Sequence, residues 1–382
     1  MLSVPVSSPG VSTIPEIDRL LAIHTAVAIG VSGGKDSHAC ALATFEHLDR
    51  LGHKGPRILI HSDLGIVEWV ESLPACEALA RYLDTELLTV RRKAGGLMER
   101  WETRWESSVR RYAALETVTV VLPWSTPGMR FCTSELKTHL IASALRRRFP
   151  GQAVVNVTGV RREESAARAR ASVASLDSST RAGVETWSWR PILDWTKQQV
   201  FDRIAASGMV PHPAYRTWGM TRVSCAFCIM SSKADMESSS RNPAHRDLYR
   251  RMVSLETQST FAFQGSRWLA DVAPDLLTDA GRAAVVDAKQ RAAERIAAER
   301  RIPRDMLYTK GWPTRMPSRE EADLLASVRR KVSEVLRIEA EFLTGEEVQG
   351  RYAALMAARQ TQAIDAEEAS STDCAEAQAP AL

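Results

Sequence analysis

Two groups of residues in this 382-residue chain have types and spacings suited to chemistry. The first is the run Ser32-Gly33-Gly34-Lys35-Asp36-Ser37. Two adjacent glycines let a backbone turn tightly and bring its amides close to an anion. A helix opening behind them adds free N–H groups and the positive end of its dipole. Ser32 and Ser37 supply hydroxyl donors, and Lys35 supplies a charge. The spacing differs from the G-x-x-x-x-G-K-[ST] loop of kinases and GTPases. The same residues also suit a plain glycine-rich turn capped by Asp36 or Ser37. The second group is cysteine. Cys225 and Cys228 stand as C-x-x-C, and Cys132 lies far upstream, between Arg130-Phe131 and Thr133-Ser134-Glu135-Leu136-Lys137. The pair alone suits a zinc half-site, a redox couple or two core thiols. Three thiolates fall short of the four ligands a structural zinc site takes. They can hold an iron–sulfur cluster with one iron open to a sulfide or a substrate sulfur. Zinc completed by His212 or His245 is an alternative, as is no metal at all. Cys40 and Cys76 fall on apolar helix faces and read as core, and Cys374 reads as incidental.

The elements that must position these groups alternate. Strands are expected over 26–32, 57–61, 86–90 and 153–158, with helices over 36–51, 68–83, 134–148 and 195–208. Such alternation implies an α/β fold: a parallel, twisted sheet with helices on both faces, joined by right-handed crossovers. The phosphate-type loop then sits between the first strand and the first helix. The Ser-rich stretch 172–183 reads as an exposed loop. Four regions follow: an arm over 1–24 with one short helix, a nucleotide-type domain with the cysteines over 25–235, a helical C-terminal region over 236–360, and a disordered acidic tail over 361–382.

Composition sets the outer limits. The chain is 45% hydrophobic and 25% charged, which fits a globular protein with roughly two cores. No apolar run reaches the ~20 residues of a membrane span. No signal-peptide pattern opens the sequence, so the expected location is the cytoplasm. A net charge of +4 gives no bulk argument for nucleic acid. The basic stretch 91–111 carries Trp101 and Trp105, which suits either a nucleic-acid track or an amphipathic helix packing both rings inward. The second reading is the plainer one.

Taken together, the motifs resemble the phosphoadenosine phosphosulfate (PAPS) reductase-like family of the adenine nucleotide alpha-hydrolase-like superfamily, the PP-loop ATP pyrophosphatases. The resemblance rests on Ser32–Ser37, on Cys132-Thr133-x-x-Leu136-Lys137, on Gly159-Val160-Arg161-x-Glu163-Glu164-Ser165 with Arg168, on Pro191-Ile192-Leu193-Asp194-Trp195-Thr196, and on Gly219-x-x-Arg222 before Cys225-x-x-Cys228. It implies a Rossmann-like fold and an adenine nucleotide, ATP with Mg²⁺, held by Ser32, Gly33, Gly34 and Ser37. Lys35, Asp36, Arg161 and Arg168 are then expected to handle charge at the reacting phosphate. Asp63 ends the second strand, where open α/β sheets bind ligands. It is expected to meet the nucleotide or its metal, although a turn-capping role fits equally.

Two departures bear on the activity. Iron–sulfur adenylylsulfate reductases carry Cys-Cys where this chain has Phe131-Cys132. Reductases also use a C-terminal cysteine in a Glu-Cys-Gly-type motif, which Thr372-Asp373-Cys374-Ala375 does not match. The layout of Cys132, Cys225 and Cys228 is similar to that of DNA phosphorothioation sulfurtransferases and of tRNA thiolases that keep one open iron. The implied activity is adenylation of an acceptor with release of pyrophosphate, then sulfur transfer supported by a three-cysteine 4Fe-4S cluster. Expected partners are a nucleic-acid acceptor and a sulfur-donor cysteine desulfurase, with no membrane. The alternatives are a PAPS or adenylylsulfate reductase making sulfite, and a nucleotide-binding subunit of a modification or defence complex.

Overall fold

The computed structural model describes the backbone of residues 9–177, 180 and 184–376. In chain order the elements are α1 (Pro15–Ala22), β1 (Ala26–Val31), α2 (Lys35–Arg50), β2 (Arg57–Asp63), α3 (Ser72–Tyr82), β3 (Glu86–Arg91) and α4 (Leu97–Ala113). There follow α5 (Phe131–Thr133), a π-turn at Ser134–Thr138, α6 (His139–Arg148), β4 (Val154–Thr158), α7 (Ala166–Ala169), β5 (Ala174–Leu176), β6 (Thr186–Trp189), α8 (Lys197–Ala206) and α9 (Pro213–Arg216). The remainder is helical: α10 (Lys233–Ser240), α11 (Arg246–Ser259), α12 (Asp279–Glu299), α13 (Arg319–Leu336) and α14 (Gly345–Glu376).

The strands form one six-stranded sheet in the order β3-β2-β1-β4-β6-β5. All neighbours run parallel except the edge strand β5, which is antiparallel to β6. Alternating side chains of β1 explain why the sheet needs cover on both faces. Val27, Ile29 and Val31 point into a core with α1, α2, α3 and α8, which supply Leu20, Leu42, Leu79 and Ile204. Ala26 and Ala28 point the other way, with Ile58, Ile60 and Val154, onto Ala144, Leu145 and Phe149 from α6 and the residue after it. Cys40 and Cys76 lie in the first core, as expected. The chain leaves β1 toward β2 on one side, and β4 pairs on the other, so the sheet reverses its winding beside the end of β1. Such a switch point opens a crevice at the carboxyl ends of the strands.

Two expectations change, and the inward-packing reading of the two tryptophans holds. The Ser-rich stretch contains β5, because Ala174 and Leu176 add an edge strand to β6. The rest of that expected loop, at 178–179 and 181–183, lies outside the described residues. The acidic tail is helical through Glu376, consistent with the helix propensity of its alanine and glutamate; residues 377–382 lie outside the described residues. Trp101 and Trp105 are both buried, so neither ring is available to stack on a base.

The described residues group into two compact units. One comprises the described part of Met1–Trp101 with Trp124–Met252 and Arg267–Leu276, and it holds the whole sheet. The other takes Glu102–Pro123, Val253–Ser266 and the described part of Leu277–Leu382. Within that second unit Arg329 is fully buried and donates to the carbonyls of Tyr112 at 2.8 Å, Ala113 at 3.0 Å and Glu341 at 2.6 Å. Its charge thus rests on helix-end carbonyls, where a cation is favoured.

Candidate active site

The site is assembled at the carboxyl end of β1. Gly33 takes φ +73°, a left-handed conformation that glycine adopts without steric cost. The chain turns there and enters α2 at Lys35, with Gly34 as the cap residue and no side chain capping the helix. No cap side chain takes the first amides of α2, though the Lys35 amide is held by the Tyr215 hydroxyl. Ser37 donates to the Gly34 carbonyl at 3.0 Å and accepts from the Ser32 amide at 3.3 Å, which closes the loop on itself.

Charge is concentrated behind the loop. Asp36 accepts from Lys35 Nζ at 2.9 Å and from Arg161 Nε at 2.6 Å. Arg161 also donates to Glu163 at 2.6 Å, and its backbone amide donates to Glu164 at 2.8 Å. Burial opposes the Arg161 charge, but Asp36 and Glu163 outweigh that and raise its pKa. The strand that delivers Arg161 lies very close to the loop. A Cβ on Gly159 would stand 2.5 Å from the Asp36 carbonyl oxygen. Arg168 is placed differently: it stands on α7, pairs with Glu164 just before that helix and is half-exposed. Asp63 accepts from the Gly65 amide at 2.7 Å and lies 3.7 Å from Arg91. Its carboxylate shapes the turn after β2 and faces β3.

Both cysteine segments are pinned to the end of β2. Ser62 donates to the Leu136 carbonyl and so fixes the turn after Cys132. The Ala226 amide donates to the Val67 carbonyl at 2.8 Å and fixes the C-x-x-C loop. The Cys228 sulfur accepts from the Met230 amide at 3.4 Å. Burial raises the Cys225 pKa, and Cys228, Glu68 and Cys132 add to the rise while Lys137 opposes it. Cys228 is a sequence neighbour of Cys225, whereas Cys132 and Lys137 act on Cys225 from a distant part of the chain. Among the described residues, no three His, Cys, Asp or Glu side chains form a group able to hold a single metal ion. His212 and His245 are therefore not brought together with the cysteines as a zinc site. Cys132, Cys225 and Cys228 are likewise not gathered into such a single-ion group; thiols are the donor type that an iron–sulfur cluster takes. Asp36 is already engaged by two cations, which leaves Asp63 as the sequence-expected carboxylate with an oxygen in no short bond.

Sequence reasoning missed four neighbours of the loop. The Tyr215 hydroxyl accepts from the amides of Lys35 at 3.1 Å and Val223 at 3.2 Å, and burial pushes its pKa up to about 12. His212 Nδ1 accepts from the Ala214 amide at 3.0 Å, and burial, with Arg216, pushes its pKa down to about 4. That ring is neutral and stands against Gly33 together with Ser72. Beneath the loop His61 bonds the Val31 carbonyl and Glu68, both at 3.1 Å. Burial opposes its charge, but the contacts to Cys76 and Glu68 win and push its pKa up to about 10. His212-Pro213 before a short helix is the one local signal of this cluster; the rest depends on distant contacts.

A glycine loop at the switch point of a mostly parallel sheet defines an α/β protein of Rossmann-like fold. The phosphoadenosine phosphosulfate (PAPS) reductase domain matches residues 26–231, and the chain belongs to that family. A phage protein, the "Uncharacterized 37.8 kDa protein in gpa 5'region" of Escherichia phage 186, is 34% identical over 112 residues. That match covers 28% of this chain and 32% of the relative, so the chain spans about a third of that protein's length. Among solved structures, the phosphate complex of PAPS reductase from Candida auris has a TM-score of 0.35 at 15% identity, covering 57% of this chain and 98% of that one. The U34-tRNA thiolase NcsA from Methanococcus maripaludis, with its 4Fe-4S cluster, has a TM-score of 0.34 at 13% identity, covering 66% and 82%. Family membership rests on the domain match. No helix of the described residues is long and apolar enough to cross a membrane.

Proposed function

We propose that the protein is an ATP-dependent sulfurtransferase acting on a nucleic acid. The observation that carries this reading is the joining of the phosphate loop to the C-x-x-C loop: one Tyr215 hydroxyl accepts from the amides of Lys35 and Val223. A nucleotide phosphate bound at the first site would then lie beside the thiols. The loop amides of Gly33 to Lys35, with Ser32 and Ser37, would hold the triphosphate. Lys35 and Arg161, gathered by Asp36, would neutralise charge at the α-phosphate. Asp63 would face Mg²⁺ carried by the phosphates, the ordinary mode for that ion. An acceptor oxygen attacks the α-phosphorus, an O–P bond forms, and pyrophosphate leaves. A sulfide-level sulfur, released from a cysteine desulfurase's persulfide by a thiol reductant that is itself oxidised to a disulfide, then displaces AMP. Cys132, Cys225 and Cys228 would hold a 4Fe-4S cluster, whose open iron supplies a place for that sulfur.

The test is anaerobic turnover of the full chain with ATP, nucleic acid, cysteine, a cysteine desulfurase and a thiol reductant. The expected result is pyrophosphate release in proportion to sulfur found in the nucleic acid. Sulfite formed from PAPS without ATP, and abolished by Cys374→Ser, would overturn this reading in favour of a reductase. ATP binding with no release of pyrophosphate until a further protein is added would favour the nucleotide-binding subunit.

A further inference from the structure

The Tyr215 hydroxyl oxygen takes backbone amides from two separate segments, Lys35 at 3.1 Å and Val223 at 3.2 Å. Lys35 N belongs to the first turn of α2, among the amides an anion would use. Val223 stands two residues before Cys225. The phenol ring is held in place: Phe201 packs on it edge-on at 5.7 Å, and Lys35 Nζ lies 5.4 Å from its centre. Its short helix is fixed by the His212 cap. A Cβ on Gly34 would stand 3.7 Å from both the Tyr215 hydroxyl and the Val223 Cβ, so the three segments meet at one point.

From this juxtaposition, and resting on the nucleotide reading of the loop, we propose that Tyr215 is a positioning residue that couples occupancy of the phosphate loop to the Cys225–Cys228 loop. A phosphate oxygen is a charged acceptor and outcompetes a phenol for the Lys35 amide. The hydroxyl that gives up Lys35 is the same one that holds Val223. A phosphate in the loop therefore removes one of the two backbone bonds that hold the phenol and so loosens its hold on the segment leading to Cys225. By linkage, whatever holds that segment in place opposes the phosphate to the same degree.

A tyrosine that merely supports the fold would give a different signature. Removing a competitor leaves nucleotide affinity equal or tighter, by about threefold for one hydrogen bond, whereas removing a support weakens it. The experiment uses the full chain, wild type and Tyr215→Phe, with ATP titrated by calorimetry and amide hydrogen exchange followed with and without ATP. In the wild type, ATP should slow exchange across 32–37 and speed it across 222–225. In Tyr215→Phe the 32–37 slowing should persist, with Kd equal or about threefold lower, while 222–225 exchanges fast throughout and ignores ATP. Pyrophosphate on the wild type alone should give the same pair of opposed changes, a check that needs no variant. Weaker ATP binding by Tyr215→Phe, or a 222–225 segment in the wild type that ignores ATP while 32–37 responds, overturns the coupling and leaves the nucleotide reading intact. ATP that changes neither segment of the wild type overturns both.

Discussion

At the scale of single residues, Arg161 and Arg168 separate sharply although both stand in one motif. Arg161 has a side chain only 5% exposed and is clasped by Asp36 and Glu163. Arg168 pairs with Glu164 at the surface. Removing one partner of a buried pair costs about 3–5 kcal/mol, while an exposed pair is worth at most about 1 kcal/mol. Arg161→Ala should therefore lower stability in urea by about 3 kcal/mol, and Arg168→Ala by less than about 1 kcal/mol. Equal losses would contradict the burial difference. The histidines give a pH signature. Burial pushes His38 and His212 down to about 4, below the 6.5 of an unfolded chain. The unfolded state then binds protons that the folded state refuses, so stability is complete above 6.5 and falls as pH drops toward 4. Each group withdraws about 2 kcal/mol between pH 7 and pH 5. His61 works in reverse: raised to about 10, its contribution is complete below 6.5 and is lost as pH climbs through 10. It returns about 1 kcal/mol over the same interval. The net loss from these three, about 3 kcal/mol, should appear in urea melts at pH 7 and pH 5 and shrink in His38→Gln and His212→Gln. The Ser32–Ser37 run was legible because its chemistry is local. Tyr215 was not, because its partner Lys35 lies 180 positions away and nothing near Tyr215 announces the contact.

At the scale of elements, the site depends on how closely β4 can approach the start of α2. Gly159 permits that approach, since a Cβ would meet the Asp36 carbonyl carbon at 2.6 Å and the Ser37 amide at 2.8 Å. Both atoms are backbone, so the helix start itself would have to move. Gly159→Ala should cost about 1–3 kcal/mol by overpacking and should weaken nucleotide binding as well. Gly128→Ala, with nothing within 4 Å of its Cβ, serves as the neutral control in the same melts and titrations. Matching behaviour of the two variants would remove the close approach from the account. Strands β1, β2, β3 and β4 could be read in advance because apolar runs between turn residues are strong signals. Strand β6 could not: Thr186-Trp187-Ser188-Trp189 is four residues long and half polar. Its strand character comes from pairing with β4, and β5 in turn follows from β6.

At the scale of the whole molecule, the units interleave along the chain. Glu102–Pro123 groups with the C-terminal helices, held there in part by Arg329 on the carbonyls of Tyr112 and Ala113. Linear composition carries no trace of such a grouping. The same holds for the thiols: Cys132 stands far from the C-x-x-C pair in sequence, and only the fold lets it act on Cys225. On the proposed function, these three thiols share one cofactor beside the phosphate loop. The direct measurement is the iron and acid-labile sulfide content of the full chain purified and reconstituted without oxygen. The account predicts about four irons and four sulfides per chain, as a single cubane cluster requires. A chain that holds no iron after reconstitution, or holds zinc in its place, would contradict it.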